Sequence, residues 1–164
     1  IAQVPMLDGQ DAVKAIPLPS LLRFGAYGIT DFFMGSRPIY IPVVSAPGEF
    51  GSMDRDGAAE AMRRGIEIAG IQYDNRIAAR SVLTIGMYRP IKRLAKIKIP
   101  TLLIGASRDS VAPFNRANIE GKNKQYVQTK MIDANHFEPY FEPVLSQNLQ
   151  YQLEFLHSLS ANKE

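Results

Sequence analysis

The sequence predicts an α/β protein: a few-stranded parallel sheet that carries a helical insertion. Three observations predict it. Residues 99–106 (IPTLLIGA) form a short apolar run without alternation, the pattern of a strand covered on both faces. From there the elements run strand, loop, helix, strand, loop, helix, a βαβ unit whose two strands are parallel and joined by a right-handed crossover. Before that unit, one short strand is followed by a long stretch that reads as helix and loop, so the insertion lies over one edge of the sheet.

Taken in order, residues 1–5 form the first strand and 6–10 its exit loop, with Asp8-Gly9 as the turn. Residues 11–16 make a helical turn ended by Pro17 and Pro19. A helix follows over 20–34, N-capped by Ser20, and Leu21, Leu22, Phe24, Tyr27, Phe32 and Phe33 make it unusually apolar. Gly35, Pro38, Pro42, Pro47 and Gly48 mark the next stretch as loop. Helices are predicted over 54–69 and 75–88, the second with Ile77, Val82, Leu83 and Ile85 broadly on one side. Pro90 opens a short helix bearing a basic cluster. After the strand at 99–106, residues 107–112 are loop, and Pro113 starts a helix that ends near Gly121. The second strand of the unit is 126–132. Glu142-Pro143 opens the last helix, striped for packing on the sheet by Val144, Leu145, Leu149, Leu153, Leu156 and Leu159. The expected organisation is a core strand and exit loop over 1–10, a helical insertion over 11–98 and a C-terminal βαβα core segment over 99–164.

Composition narrows the chemistry. The 164 residues are 46% hydrophobic and 21% charged, with a net charge of +3, as in a soluble globular domain. There is no cysteine, which excludes disulfides, thiolate chemistry and cysteine-based zinc sites. No apolar run approaches the ~20 residues of a spanning helix, and residues 1–8 do not read as a secretory leader. The expectation is a cytoplasmic protein with no membrane partner. His136 and His157 are the only histidines and no carboxylate spacing resembles a metal motif, so no metal or cofactor is expected. Arg89, Lys92, Arg93, Lys96 and Lys98 fall within ten residues that contain no acid. They form either a site for an anionic partner or the solvated face of a short helix. No aromatic residues interleave to stack bases, so nucleic acid is not the expected partner.

The residues that carry chemistry lie beyond the strand ends. Ligands of open α/β sheets bind outside the carboxyl ends of the strands. Asp109 follows one strand by three residues and His136 follows the next by four, so parallel strands put both on the same edge. Neighbouring strands are about 4.8 Å apart, within reach of a carboxylate–imidazole hydrogen bond. Such a pair is an orienting acid and a general base. Each residue also has a plain reading: Asp109 shaping a turn, His136 as an ordinary loop histidine. Their matched positions favour the chemical one. Phe24, Tyr27, Phe32, Phe33, Phe50 and Met53 either line an apolar acyl pocket or pack under the insertion, with packing favoured for most.

These residues also carry a resemblance. The segment PTLLIG (100–105) followed by DSVAP (109–113) resembles the acid-bearing strand and loop of the α/β-hydrolase superfamily, where a glycine and then D-x-x-x-P are usual. Asn135-His136-Phe137 resembles that family's G-H-F histidine loop, with Asn in place of Gly. Residues 152–159 resemble its terminal helix, and AQVP with Asp8-Gly9 resembles the strand after the nucleophile helix. Residues 76–90 are similar to the cap segment of hydrolases near the dienelactone-hydrolase and acyl-peptidase branches. The resemblance implies the C-terminal portion of an α/β-hydrolase fold, with a helical cap, in which Asp109 and His136 are the catalytic acid and histidine.

The same resemblance implies a nucleophile on a G-x-S-x-G elbow upstream of both. This sequence holds none. Gly105-Ala106-Ser107-Arg108-Asp109 is the nearest match, but Asp replaces the second glycine that the strained elbow requires. Ser52 reads as a helix N-cap. The chain also opens on Ile1, in what reads as a strand already in progress. The expectation is therefore a C-terminal fragment of a serine-type hydrolase of esters or related acyl bonds, esterase-like when complete and inactive alone. Its expected partners are the missing N-terminal half of the core and a small acyl substrate. An isolated fragment is expected to expose sheet edge and apolar face, and so to form homo-oligomers or aggregate. The alternative is a non-catalytic α/β domain that binds a ligand or partner.

Overall fold

The computed structural model describes residues 1–119 and 121–161. Glu120, within the helix expected after Pro113, and the last three residues of the expected 99–164 segment lie outside the described residues. The elements are β1 (Ala2–Gln3), α1 (Gly9–Lys14), α2 (Leu18–Phe33), β2 (Tyr40–Ile41), α3 (Ala58–Ala69) and β3 (Ile77–Ala78), then 3-10 helices at Ala79–Met87 and Pro90–Lys96. There follow β4 (Thr101–Ala106), α4 (Arg116–Ile119), β5 (Val127–Ile132), a 3-10 turn at Glu138–Tyr140 and α5 (Val144–Ala161). They divide into two compact units: Ile1–Asp8 with Arg89–Glu164, and Gly9–Tyr88. Residues 89–98, counted with the insertion from sequence, group with the sheet.

In the sheet unit the strands run β1-β4-β5, all parallel, with Ala2 opposite Leu103 and Ala106 opposite Ile132. β4 is central, and Leu102 through Ala106 are buried. Leu102, Ile104 and Ala106 pack with Val4, Ile132, Ala134 and Phe155. Leu103 joins a second cluster with Leu7, Ile91, Leu94 and Ile119. Cover on both faces is why this strand shows no alternation. A Cβ at Gly105 would lie 2.3 Å from the Phe114 ring, so the glycine lets the segment leading to α4 lie against the strand. Pro113 does not start that helix: α4 is the single turn Arg116–Ile119. The 3-10 helix at Pro90–Lys96 buries Ile91 and Leu94, leaving Lys92, Arg93 and Lys96 exposed.

The packing face of α5 differs from the leucine stripe. Leu149, Leu153 and Leu156 are about half exposed, whereas Asn148 and Phe155 are buried and Val144, Tyr151 and Leu159 pack beside them. Asn148 sits on the inner face because its amide is satisfied: it donates to Gln3 Oε1 at 2.8 Å and to the Pro139 carbonyl at 3.0 Å. A buried amide with its partners in place is tolerated where an unpaired one is not.

In the helical unit, α2 begins at Leu18, with Pro17 at the N-cap position and Pro19 in the first turn, so Ser20 is not the cap. Proline fits there because a first-turn N–H has no intrahelical partner to lose. α3 begins at Ala58 after a left-handed Gly57, so Ser52 caps nothing; its N–H donates to the Pro42 carbonyl at 2.9 Å. The helix expected over 75–88 is instead β3 followed by a nine-residue 3-10 helix. β3 pairs antiparallel with β2, Tyr40 opposite Ala78, inside what reads as loop. Phe24, Ile41 and Ala79 form the core, with Ile16, Phe50, Ile77 and Val82 packed against it. Phe50 lies between Phe24 and Tyr27, at 5.0 and 5.2 Å between ring centroids. Phe32 and Phe33 are 64% and 81% exposed, so packing does not account for them.

The fastener of this unit is Asp31, fully buried on α2. Its Oδ1 accepts the Ile39 N–H at 2.6 Å, and its Oδ2 accepts the Arg80 N–H at 2.7 Å. The Arg80 guanidinium closes on both oxygens at 2.9 and 3.0 Å. One carboxylate thus ties α2, the lead into β2 and the start of the 3-10 helix. Among the described residues, no helix is long and apolar enough to cross a membrane.

Candidate active site

β4 and β5 end level, Ala106 beside Ile132, and their pairing continues into the loops. The Ser107 N–H donates to the Ile132 carbonyl and the Arg108 N–H to the Ala134 carbonyl, both at 2.9 Å. The two loops therefore run side by side. Asp109 and His136 meet across them, with His136 Nδ1 and Asp109 Oδ2 2.8 Å apart. The Asp109 side chain is fully buried and that of His136 is 18% exposed. The aspartate is held by its own loop: Oδ1 accepts the Val111 and Ala112 N–H groups at 2.9 and 2.7 Å. Oδ1 is thus taken up in fixing the turn, and Oδ2 is presented to the imidazole. The Phe137 ring stands edge-on to the imidazole at 5.0 Å. Just past the end of β1, the third strand of this edge, buried Val4 has φ +38°, a strained value for a β-branched residue, while its N–H donates to the Ile104 carbonyl.

The other residues singled out from sequence fall elsewhere. The Ser107 hydroxyl donates to Asp133 Oδ1 at 2.8 Å. Ser52 and the aromatic set belong to the helical unit. His157 is exposed on α5. In the basic cluster, Arg89 grips Asp8 with two hydrogen bonds at 2.8 and 2.7 Å, and Lys92, Arg93, Lys96 and Lys98 are exposed. Among the described residues no group of three or more histidine, aspartate or glutamate side chains is placed to hold a metal.

Three residues to which the sequence assigns no role hold the histidine loop. Asn135 Oδ1 accepts the Phe137 and Glu138 N–H groups at 2.8 and 3.0 Å, and Glu138 Oε2 accepts the Asn135 N–H at 2.6 Å. Arg108 reaches over from the acid loop, donating from Nη2 to the Asp133 carbonyl and to Glu138 Oε2, each at 3.2 Å. The Asn135–Glu138 exchange has the spacing and reciprocity of a capping box, a signal visible in the sequence as N-x-x-E. Asn135 stands where the resemblance has glycine. It has no positive φ, so the position does not need one, and its amide is put to use.

No protein-family model matches the chain. In sequence it is 25% identical over 159 residues to the quorum-quenching protein AidA of Acinetobacter baumannii (strain MDR-ZJ06), covering 95% of this chain and 52% of that protein. In structure it is similar to the α/β hydrolase GrgF from Penicillium sp. sh18, with a TM-score of 0.60 and 22% identity over 94% of this chain and 53% of that one. It is also similar to DcsB, solved in complex with its substrate analogue, with a TM-score of 0.58 and 17% identity over 95% of this chain and 54% of that one. The chain spans about half the length of each of these three proteins. Over nearly all of its length, then, this chain is similar in fold to about half of a solved α/β hydrolase.

Proposed function

We propose that this chain supplies the acid and the histidine of a serine-type α/β-hydrolase that cleaves an ester or a related acyl bond. The observation that carries the proposal is the 2.8 Å contact between His136 Nδ1 and Asp109 Oδ2 on adjacent strand ends. With its Nδ1–H donated to the carboxylate, the imidazole carries its lone pair on Nε2. There it takes the proton of a serine hydroxyl as that oxygen attacks the substrate carbonyl. The resulting imidazolium, stabilised by Asp109, returns the proton to the departing alcohol. Water then repeats the sequence on the acyl-enzyme and frees the acid.

The nucleophile in this proposal lies outside residues 1–164. No G-x-S-x-G occurs in the sequence, and the hydroxyl of Ser107 is engaged by Asp133. The partner is the polypeptide that carries the nucleophile elbow, in the same chain or a separate one. The test is a fluorophosphonate probe read by intact mass. The 164-residue chain should stay unlabelled, and its complex with a nucleophile-bearing half should label on that half alone. A label on this chain would place the nucleophile within it and refute that part of the proposal. Labelling of the complex that survives His136→Ala unchanged would remove His136 from the mechanism. Substrates are then sought in a panel of acyl esters that includes bacterial signalling molecules, because the A. baumannii relative is by name a quorum-quenching protein.

A further inference from the structure

The Asp109–His136 contact joins two loops, and a shift of about 1 Å in either would break it. The histidine loop is fixed by a small set of side chains. Arg108 takes the Asp133 carbonyl with its guanidinium and the Ala134 carbonyl with its own N–H. Glu138 takes the Asn135 N–H, and Asn135 takes the N–H groups of Phe137 and Glu138. These contacts flank His136 on both sides in sequence. Arg108 also bonds Glu138 directly and lies 3.3 Å from the Asp133 carboxylate. It is the residue immediately before the acid, so the backbone that delivers Asp109 also delivers the group that grips the loop of the base.

From this geometry we infer that Arg108 and Glu138 are positioning residues: together they clamp the histidine loop to the acid loop, so that the Asp109–His136 bond is formed before a nucleophile or substrate arrives. The inference rests on the reading of Asp109 and His136 as the catalytic pair. Arginine suits the role because its planar fork spans separate acceptors, whereas a lysine ammonium is a single point of charge. Glu138 suits it because one carboxylate oxygen receives both the Asn135 N–H and Arg108 Nη2. Both side chains are substantially exposed, at 57% and 42%, so neither is needed to fill the core.

The clamp is tested in the 164-residue chain by proton NMR. The His136 Nδ1 proton, bonded to a carboxylate, should resonate far downfield and exchange slowly with water. His157, exposed on α5, provides the internal reference. Arg108→Ala and Glu138→Ala should each speed exchange of that proton by about tenfold while far-UV circular dichroism stays native. Glu138→Gln, which keeps an acceptor for the Asn135 N–H, should restore slow exchange; a merely electrostatic or global effect would not be rescued this way. Exchange within about twofold of native in both alanine variants overturns the inference. Should Arg108→Ala fail to fold, Glu138→Ala alone decides. Faster exchange in these variants, combined with labelling of the complete enzyme that ignores His136→Ala, upholds the clamp and removes the hydrolase reading instead.

Discussion

In the helical unit, Asp31 is fully buried and both its oxygens serve structure, accepting from Ile39, the Arg80 backbone and the Arg80 guanidinium. The Arg80 hydrogen bonds hold its carboxyl below the usual carboxylate range. In the sheet unit the Asp109 side chain is just as buried, but only one oxygen is taken up by its own loop, and the other meets an imidazole. Depth of burial does not separate the two, and the shifted carboxyl would nominate Asp31 as the functional residue. What separates the two is the partner. A guanidinium stays charged and can only hold, whereas an imidazole changes its proton near neutral pH and can work. Place matters as well: Asp109 lies beyond the carboxyl end of a parallel strand, where such sheets bind ligands.

The largest effect should come from Asp109. On the proposed reading, Asp109→Asn in the complete enzyme should lower kcat for an activated ester by about 10⁴-fold, because an amide presents the wrong partner to the imidazole. The unfolding midpoint should move little. A loss of less than about tenfold would class Asp109 with Asp31 as structural.

The counterpart, Asp31→Asn, should lower the unfolding midpoint by roughly 10 °C and speed amide exchange at Ile39 and Arg80. The acid dependence has a definite sign. Because the folded-state carboxyl titrates below the unfolded one, the stability it contributes is complete above the ordinary aspartate range near pH ~4. It is lost progressively as pH falls from there toward the depressed folded-state value. An acid titration of stability should therefore be flatter in the variant. Parallel curves would remove Asp31 as the fastener. The smallest effect concerns local helix propensity. A Cβ at Gly65, inside α3, meets nothing within 4 Å. Gly65→Ala should therefore stabilise by about 0.5–1 kcal/mol in urea denaturation, and a loss of stability would show an unforeseen constraint on that helix.

The parts legible in the sequence were those governed by a single strong signal. Cover on both faces writes itself into β4 as an unbroken apolar run, and the parallel alternation that follows puts Asp109 and His136 on one edge. Elements governed by competing signals were misread. Over 75–88 the apolar spacing suits an α-helix, but the segment pairs two residues with β2 and then winds as a 3-10 helix. On α5 hydropathy points to Leu149, Leu153 and Leu156, yet the sheet takes Asn148 and Phe155. A buried asparagine becomes legible only once Gln3 and Pro139 are known to meet it. The clamp was missed for the same reason: Arg108 and Glu138 lie thirty residues apart. Only its local half, the N-x-x-E spacing of Asn135 and Glu138, was there to be found.

Adjacent parallel strands joined by one crossover have a genetic consequence. Asp109 and His136 stand 27 positions apart, and Arg108, Asn135 and Glu138 fall within or beside that interval. The proposed acid and base and the residues proposed to align them are thus encoded in one short stretch of coding sequence. Duplication, recombination or gene fission that carried the stretch would carry them together, already matched to one another. On the proposed reading, selection could then exchange the polypeptide that carries the nucleophile while keeping this matched set intact.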